Sequence, residues 1–253
     1  MTQPSPRPSG WTDAARLAVT TLTVVPLRAG LIDRRAAGRA MLLAPVVGVL
    51  LGAVVGGLAW GLRQVLPAVL AGALAVGANA LLTRGLHLDG LADTVDALGA
   101  YRGRERALEI MKSPEVGPFG VAALVLVLLV QAVAVGSAPF PAVVAAWAAG
   151  RVAITLACAR GVPAARPGGL GAFVAGSVPR PAAAAAALAV AALAIPAVAA
   201  RWWQGPAAVL LALCVVLLLL RHLVRRLGGI TGDVLGFVAE TALTGALIGL
   251  TVA

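Results

Sequence analysis

Three of the ten acidic residues in this 253-residue chain, Asp89, Asp93 and Asp96, recur at i, i+4 and i+7. On a helix of about 3.6 residues per turn that spacing stacks the carboxylates on one face. Like charges so placed repel, by roughly a few tenths of a kcal/mol per pair. A hard divalent cation, Mg²⁺ or Mn²⁺, would relieve the repulsion and suits an all-oxygen donor set. The competing reading is a solvated acidic face in an Arg-rich loop. A second cluster, GGITGDVLGFVAE at 228–240, puts Asp233 and Glu240 seven apart, again on one helix face. Gly228, Gly229 and Gly232 allow backbone N–H groups to approach an anion closely at a helix start. Arg102, Arg104, Arg106 and Lys112 follow the first cluster, and arginine forks match phosphate oxygens. Lys112 is the only lysine and stands next to the Gly117–Gly120 turn, while His87 adjoins the acids as a candidate base or ligand. Together these groups fit phosphoryl or phosphodiester transfer, with a cation on the phosphate oxygens and a free acid taking the proton of an attacking hydroxyl. No Ser/His/Asp or Cys/His arrangement competes.

The elements that must position these groups are apolar. The chain is 60% hydrophobic and 12% charged, with a mean hydropathy of +0.97, whereas soluble domains carry roughly 25% charge. An all-α polytopic membrane protein is expected, with apolar runs at 40–62, 65–83, 119–136, 138–159, 182–200, 206–220 and 234–252. Each is near the roughly 20 residues that cross a bilayer. Leu17–Leu27 is too short to span and reads as an interfacial or re-entrant helix. The Pro/Ser-rich N-terminus reads as a disordered tail, taken to residue 15, before a single integral-membrane catalytic domain at 16–253 with its polar loop at 84–118. Net charge is +10, but seventeen of the twenty basic residues fall on one side of the seven spans. That bias places the loops and the N-terminus in the cytoplasm and explains the charge without nucleic acid. Trp60, Trp202 and Trp203 fall at the outer ends of spans, as interface anchors. Gly48, Gly52 and Gly56 form a small-xxx-small face, and Gly245 and Gly249 suggest another. Cys158 and Cys214 are isolated in apolar segments, which indicates neither a disulfide nor a zinc site. Glu240 lies about two turns inside the last span, where an acid is costly and is either functional or paired; Arg151, the one basic residue inside a span, is its alternative partner.

The residues also resemble a known family. LHLDGLADTVDALGA followed by RERALEIMKSPEVGPFG, then ARGVPAARPGGLGAF, then GGITGDVLGFVAE is similar to the cobalamin synthase family, also called adenosylcobinamide-GDP ribazoletransferase. The likeness covers about 86–120, 151–173 and 228–240, with TTLTVVPL near the N-terminus a weaker echo of the family's opening motif. The resemblance implies a multi-pass inner-membrane enzyme that requires Mg²⁺. It would join adenosylcobinamide-GDP to α-ribazole, or its 5′-phosphate, and release GMP. It also implies an acidic motif at Asp89, Asp93 and Asp96 and a second motif at Gly232, Asp233 and Glu240. Two positions depart from the family pattern. Met111-Lys112-Ser113-Pro114 stands where Met-Lys-Asp-Ser is usual, so no catalytic role is carried there. Val24-Val25-Pro26 lacks the usual charge before its proline.

On this reading Asp89, Asp93 and Asp96 hold Mg²⁺ against the diphosphate, and the 3′-hydroxyl of α-ribazole attacks the phosphorus on the cobinamide arm. GMP leaves against the metal and Lys112 or nearby arginines such as Arg102. Asp233 or Glu240 is the general base or a second metal ligand, with His87, Gly229 and Gly232 beside the substrate. The lipid bilayer is the other partner, and an oligomer is left open. Two alternatives remain. A CDP-alcohol phosphotransferase expects Ala-Arg after its Asp-Gly, where this chain has Ala92-Asp93. An ion-coupled transporter would use Glu240 and Arg151, but most of the acids here sit in or beside loops rather than at mid-membrane.

Overall fold

The computed structural model describes residues 9–28, 30–101 and 103–252, and is helical throughout. Among these residues the helices are α1 (Trp11–Leu22), α2 (Arg34–Leu62), α3 (Ala68–Leu82), α4 (Leu86–Gly99), α5 (Arg104–Ile110), α6 (Pro118–Ser137), α7 (Phe140–Ala157), α8 (Gly169–Val174), α9 (Arg180–Leu193), α10 (Gln204–Leu227) and α11 (Gly232–Thr251). A 3₁₀ turn at Ile195–Ala197 extends α9. Six stretches, α2, α6, α7, α9 with its 3₁₀ turn, α10 and α11, are long and apolar enough to cross a bilayer. The seventh expected run, 65–83, is α3, which reaches that length only together with α4, bent from it by 92°. Two expectations at the N-terminus shift. Residues 11–15 belong to α1 rather than to a tail, and the short helix runs Trp11–Leu22 rather than Leu17–Leu27. Of the rest of the expected tail, Ser9 and Gly10 lead into α1 and residues 1–8 lie outside the described residues.

Glycine spacing sets the helix pairs. Gly48 and Gly52 of α2 face the backbone of α7, where an added Cβ would lie 2.7 Å from the Trp147 carbonyl and 2.8 Å from Val144 Cα. Gly56 meets the Phe140 ring, so the whole small-residue stripe seats α2 on α7. Gly249 packs likewise on Ala208 of α10, and Gly150 of α7 on Ala239 of α11. The central helix α7 presents Trp147, Arg151 and Ile154 fully buried. Polar groups inside this core are joined across helices: Trp147 Nε1–H donates to Asn79 Oδ1 at 2.8 Å, and Thr155 Oγ1–H to the Met41 carbonyl at 2.7 Å.

The direction of each span follows from its contacts. Gly72 abuts Ala132, and Gly136 abuts Ala68, so α3 traverses the same layer as α6 in the opposite sense. Arg84 and Gly85, both in the left-handed region at φ 56° and 65°, then turn the chain. The helix that follows, α4, packs on the first turns of α6 and α11 instead of continuing the span. One end of the bundle thus collects α1, α4, α5, α8 and the segments 158–179 and 228–231. Trp60, Trp202 and Trp203 are exposed at the other end.

Candidate functional site

The site forms where α4 crosses the start of α11. Gly90 lies against Asp233, where an added Cβ would sit 2.6 Å from the Asp233 carbonyl oxygen, and Gly236 lies against the backbone of His87 and Gly90. Only hydrogen at these two positions lets the helices approach so closely. The crossing sets Asp89 and Asp93, from one acidic segment, beside Asp233 from the other. Crowding is felt most by Asp93, which lies clear of the spans on α4. Its carboxyl is pushed up to about 7, first by partial burial and then by the charges of Asp89, Asp233 and Asp96. Thr231 caps α11, its hydroxyl oxygen accepting from Val234 N–H at 3.2 Å, which fixes the turn that carries Asp233.

Asp96 does something other than the helical spacing suggests. Its two carboxylate oxygens accept hydrogen bonds from Gly117 N–H at 2.7 Å and Gly120 N–H at 2.9 Å. It caps the N-terminus of α6 from another helix, a place where a negative charge is favoured. Among the described residues no three His, Cys, Asp or Glu side chains come together as a ready-made metal cage. The expected cradle of Asp89, Asp93 and Asp96 on one helix is not preformed: the third carboxylate is turned to the backbone of α6. Two carboxylates from different helices, Asp89 and Asp233, share one cavity, with Asp93 near enough to feel the charge of both. They are all-oxygen donors, and Asp233 Oδ2 is buried without a hydrogen-bond partner. That donor set fits a hard cation of the kind bound through one or two carboxylates, with phosphate oxygens and water completing the shell.

A cavity of about 230 Å³ opens beside the crossing. Asp89, Asp233, His87, Gly232 and Arg166 line its polar side, and Leu22, Met41, Ile154, Leu170 and Leu235 its apolar side. Arg166 stands 3.8 Å from Asp233. Nothing in its residue type marks this arginine among nineteen; its place before Pro167-Gly168-Gly169, within ARGVPAARPGGLGAF, is the signal in the sequence. His87 is buried, with Nδ1 lacking a partner.

Other expected residues lie apart. Glu240 is buried in α11 two turns below Asp233, where Gln131 Nε2–H donates to it at 2.8 Å. Arg151 is buried nearby and coupled electrostatically to Glu240, but its guanidinium makes no hydrogen bond. Gly229, at φ 156°, packs against the backbone of Pro163 and Ala164, where a side chain would collide; it serves the loop's fold. Lys112 is exposed in the turn after α5 and lines neither this cavity nor the cleft of about 430 Å³ beside Asp96 and Gly117. Arg102 lies outside the described residues. Arg104 ties the polar loop down, its Nε–H and Nη2–H donating to the carbonyls of Leu227 at 2.8 Å and Ala165 at 2.9 Å.

Comparison with known proteins identifies the family. The profile of the cobalamin-5-phosphate synthase family matches residues 14–251. An adenosylcobinamide-GDP ribazoletransferase of Frankia casuarinae is 43% identical, with 92% of each chain covered. One of Nocardioides sp. is 43% identical over 93% of this chain and 97% of its own, and one of Pseudomonas entomophila 40% identical over 92% and 96%. No solved structure matches. A match of this extent, over every segment that builds the site, makes the chain a member of the cobalamin-5-phosphate synthase family.

Proposed function

We propose that this protein joins adenosylcobinamide-GDP to α-ribazole, or to its 5′-phosphate, and releases GMP. The observation that carries the reading is the crossing at Gly90, which sets Asp89 of α4 and Asp233 of α11 on one cavity with Arg166, and Asp93 within reach of both charges. The 3′-hydroxyl of the ribazole attacks the phosphorus on the cobinamide arm, and the bond from that phosphorus to the oxygen of GMP breaks. The proton of the hydroxyl goes to a carboxylate, and the new bond is a phosphodiester. Asp93 suits the proton's destination, since a carboxyl near 7 accepts and returns it at neutral pH. Asp89 and Asp233 are the carboxylates we assign to Mg²⁺. When bound, that ion neutralises charge on the phosphate oxygens as the leaving group departs. The apolar side of the cavity, Leu22, Met41 and Ile154, is the wall we assign to the flat base of the ribazole.

Sidedness follows from the positive-inside rule. Because the site and most of the arginines share one end, we place that end in the cytoplasm, with the chain in the inner membrane. Purified protein supplied with adenosylcobinamide-GDP, α-ribazole and Mg²⁺ is expected to release GMP, and a chelator is expected to stop it. Release of GMP that ignores the chelator would remove the metal from the reading; no release in any condition would remove the reaction.

A further inference from the structure

The segment that carries Arg166 is held to the turn before α11 from both directions. Ala165 N–H donates to the Ile230 carbonyl at 3.0 Å, and Ile230 N–H donates to the Pro163 carbonyl at 2.9 Å. Arg104 adds its bond to the Ala165 carbonyl. Yet the head group so anchored is left incomplete. Arg166 Nη1 is buried with no hydrogen-bond partner, and so is Asp233 Oδ2. Arg166 Nη2 and Asp233 Oδ2 lie 3.8 Å apart, beyond hydrogen-bonding distance. A guanidinium and a carboxylate free to close would form the short, charge-assisted pair that such groups prefer. Here an unfilled donor and an unfilled acceptor flank the mouth of one cavity. A phosphate bound with a cation would satisfy both groups, Arg166 supplying an N–H to the phosphate and Asp233 a carboxylate to the cation.

We infer that Arg166 is a phosphate-binding residue, gripping the anionic oxygens of the phosphate that leaves as part of the nucleotide. The inference rests on the transfer reaction proposed above and adds a binding group to it. The competing account is purely architectural, in which Arg166 does no more than hold the start of α11 through Asp233.

Full-length protein in detergent, as wild type, Arg166→Gln and Arg166→Lys, separates the two. The measurements are calorimetric binding of inorganic pyrophosphate with Mg²⁺, the thermal midpoint, and GMP release. Phosphate binding by Arg166 expects pyrophosphate affinity to fall about tenfold or more in the glutamine variant, with the lysine variant between. GMP release should decline in the same order while the midpoint holds. Unchanged pyrophosphate affinity in a folded glutamine variant overturns the inference. So does a lowered midpoint that lysine restores while affinity stays at the wild-type value throughout. Should the glutamine variant not fold, the lysine variant decides alone: weakened pyrophosphate binding supports the role and wild-type binding removes it. If wild type releases no GMP but binds pyrophosphate through Arg166, the reaction falls and the phosphate site stands.

Discussion

Replacing Gly90 with alanine adds one methyl group and no charge, yet it acts on the feature that assembles the site. The new Cβ would lie 2.6 Å from the Asp233 carbonyl oxygen and 2.9 Å from Asp233 Cα. Ordinary carbon contacts begin near 3.5 Å, so α4 and α11 must separate by roughly 1 Å. Both obstacles are backbone atoms, and neither can rotate away as a side chain would. Overpacking of this kind costs about 1–3 kcal/mol of stability. The functional cost is larger, because a misplacement of about 1 Å in a reacting constellation lowers rate by roughly a hundredfold. Gly90→Ala is therefore expected to reduce GMP release by about that factor in a protein that still purifies as a folded species. Gly236→Ala, whose Cβ would lie 2.8 Å from the His87 carbonyl, should repeat the effect from the facing helix. Gly57→Ala is the control, since nothing lies within 4 Å of its added Cβ; it should leave rate unchanged. The assay is GMP release at saturating substrates, read beside the thermal midpoint of each variant. Turnover within about twofold of wild type in both Gly90→Ala and Gly236→Ala would refute the claim that this crossing sets the chemistry.

Asp93→Asn is expected to abolish turnover and to raise the thermal midpoint slightly at pH 8. A carboxyl pushed up to about 7 from its ordinary value of 3.8 destabilises the fold as pH rises through that interval, and the amide carries no such charge; a lowered midpoint would contradict this. Divalent-cation affinity, followed by calorimetry, should weaken as pH falls below 7, because a cation at Asp89 and Asp233 disfavours the proton on neighbouring Asp93; affinity that rises on acidification would contradict this. Asp96→Ala removes both acceptors at the start of α6 and should lower stability by about 2–5 kcal/mol in denaturation experiments while cation affinity per folded molecule persists. The reverse outcome would restore Asp96 as a ligand. Gly229→Ala should fail to yield folded protein, since its Cβ collides with backbone at φ 156°, whereas Gly232→Ala, with only Leu170 Cβ at 3.7 Å, should purify normally.

Much of the architecture was legible because hydrophobic length and glycine spacing are local signals. The spans, the Gly48–Gly52–Gly56 seam and the exposed tryptophans follow from them directly. The acids were legible as residue types, and the period of a helix correctly put Asp89 and Asp93 together. What that period could not show is the partner each stripe meets. Asp96 lies on the same face, but it reaches the N–H groups of Gly117 and Gly120, which follow it by more than twenty positions. Asp233 joins Asp89 and Asp93 only because Gly90 admits another backbone. The pairing is tertiary, and a lone glycine does not name its neighbour. Arg166 was hidden for a different reason. In a chain with nineteen arginines, nothing about its type distinguishes it, and only the bridge to Ile230 singles it out.

That bridge has a consequence for how the protein can drift in evolution. Ala165 and Ile230 are linked main chain to main chain, so the methyls and branched carbons they display can be exchanged without disturbing the guanidinium one step further on. Length is another matter. A single codon gained or lost between Pro163 and Arg166, or between Gly229 and Asp233, slips the two strands of contact past each other and swings the arginine out of the cavity. Variation in spelling is cheap in this corner of the molecule, and variation in counting is ruinous.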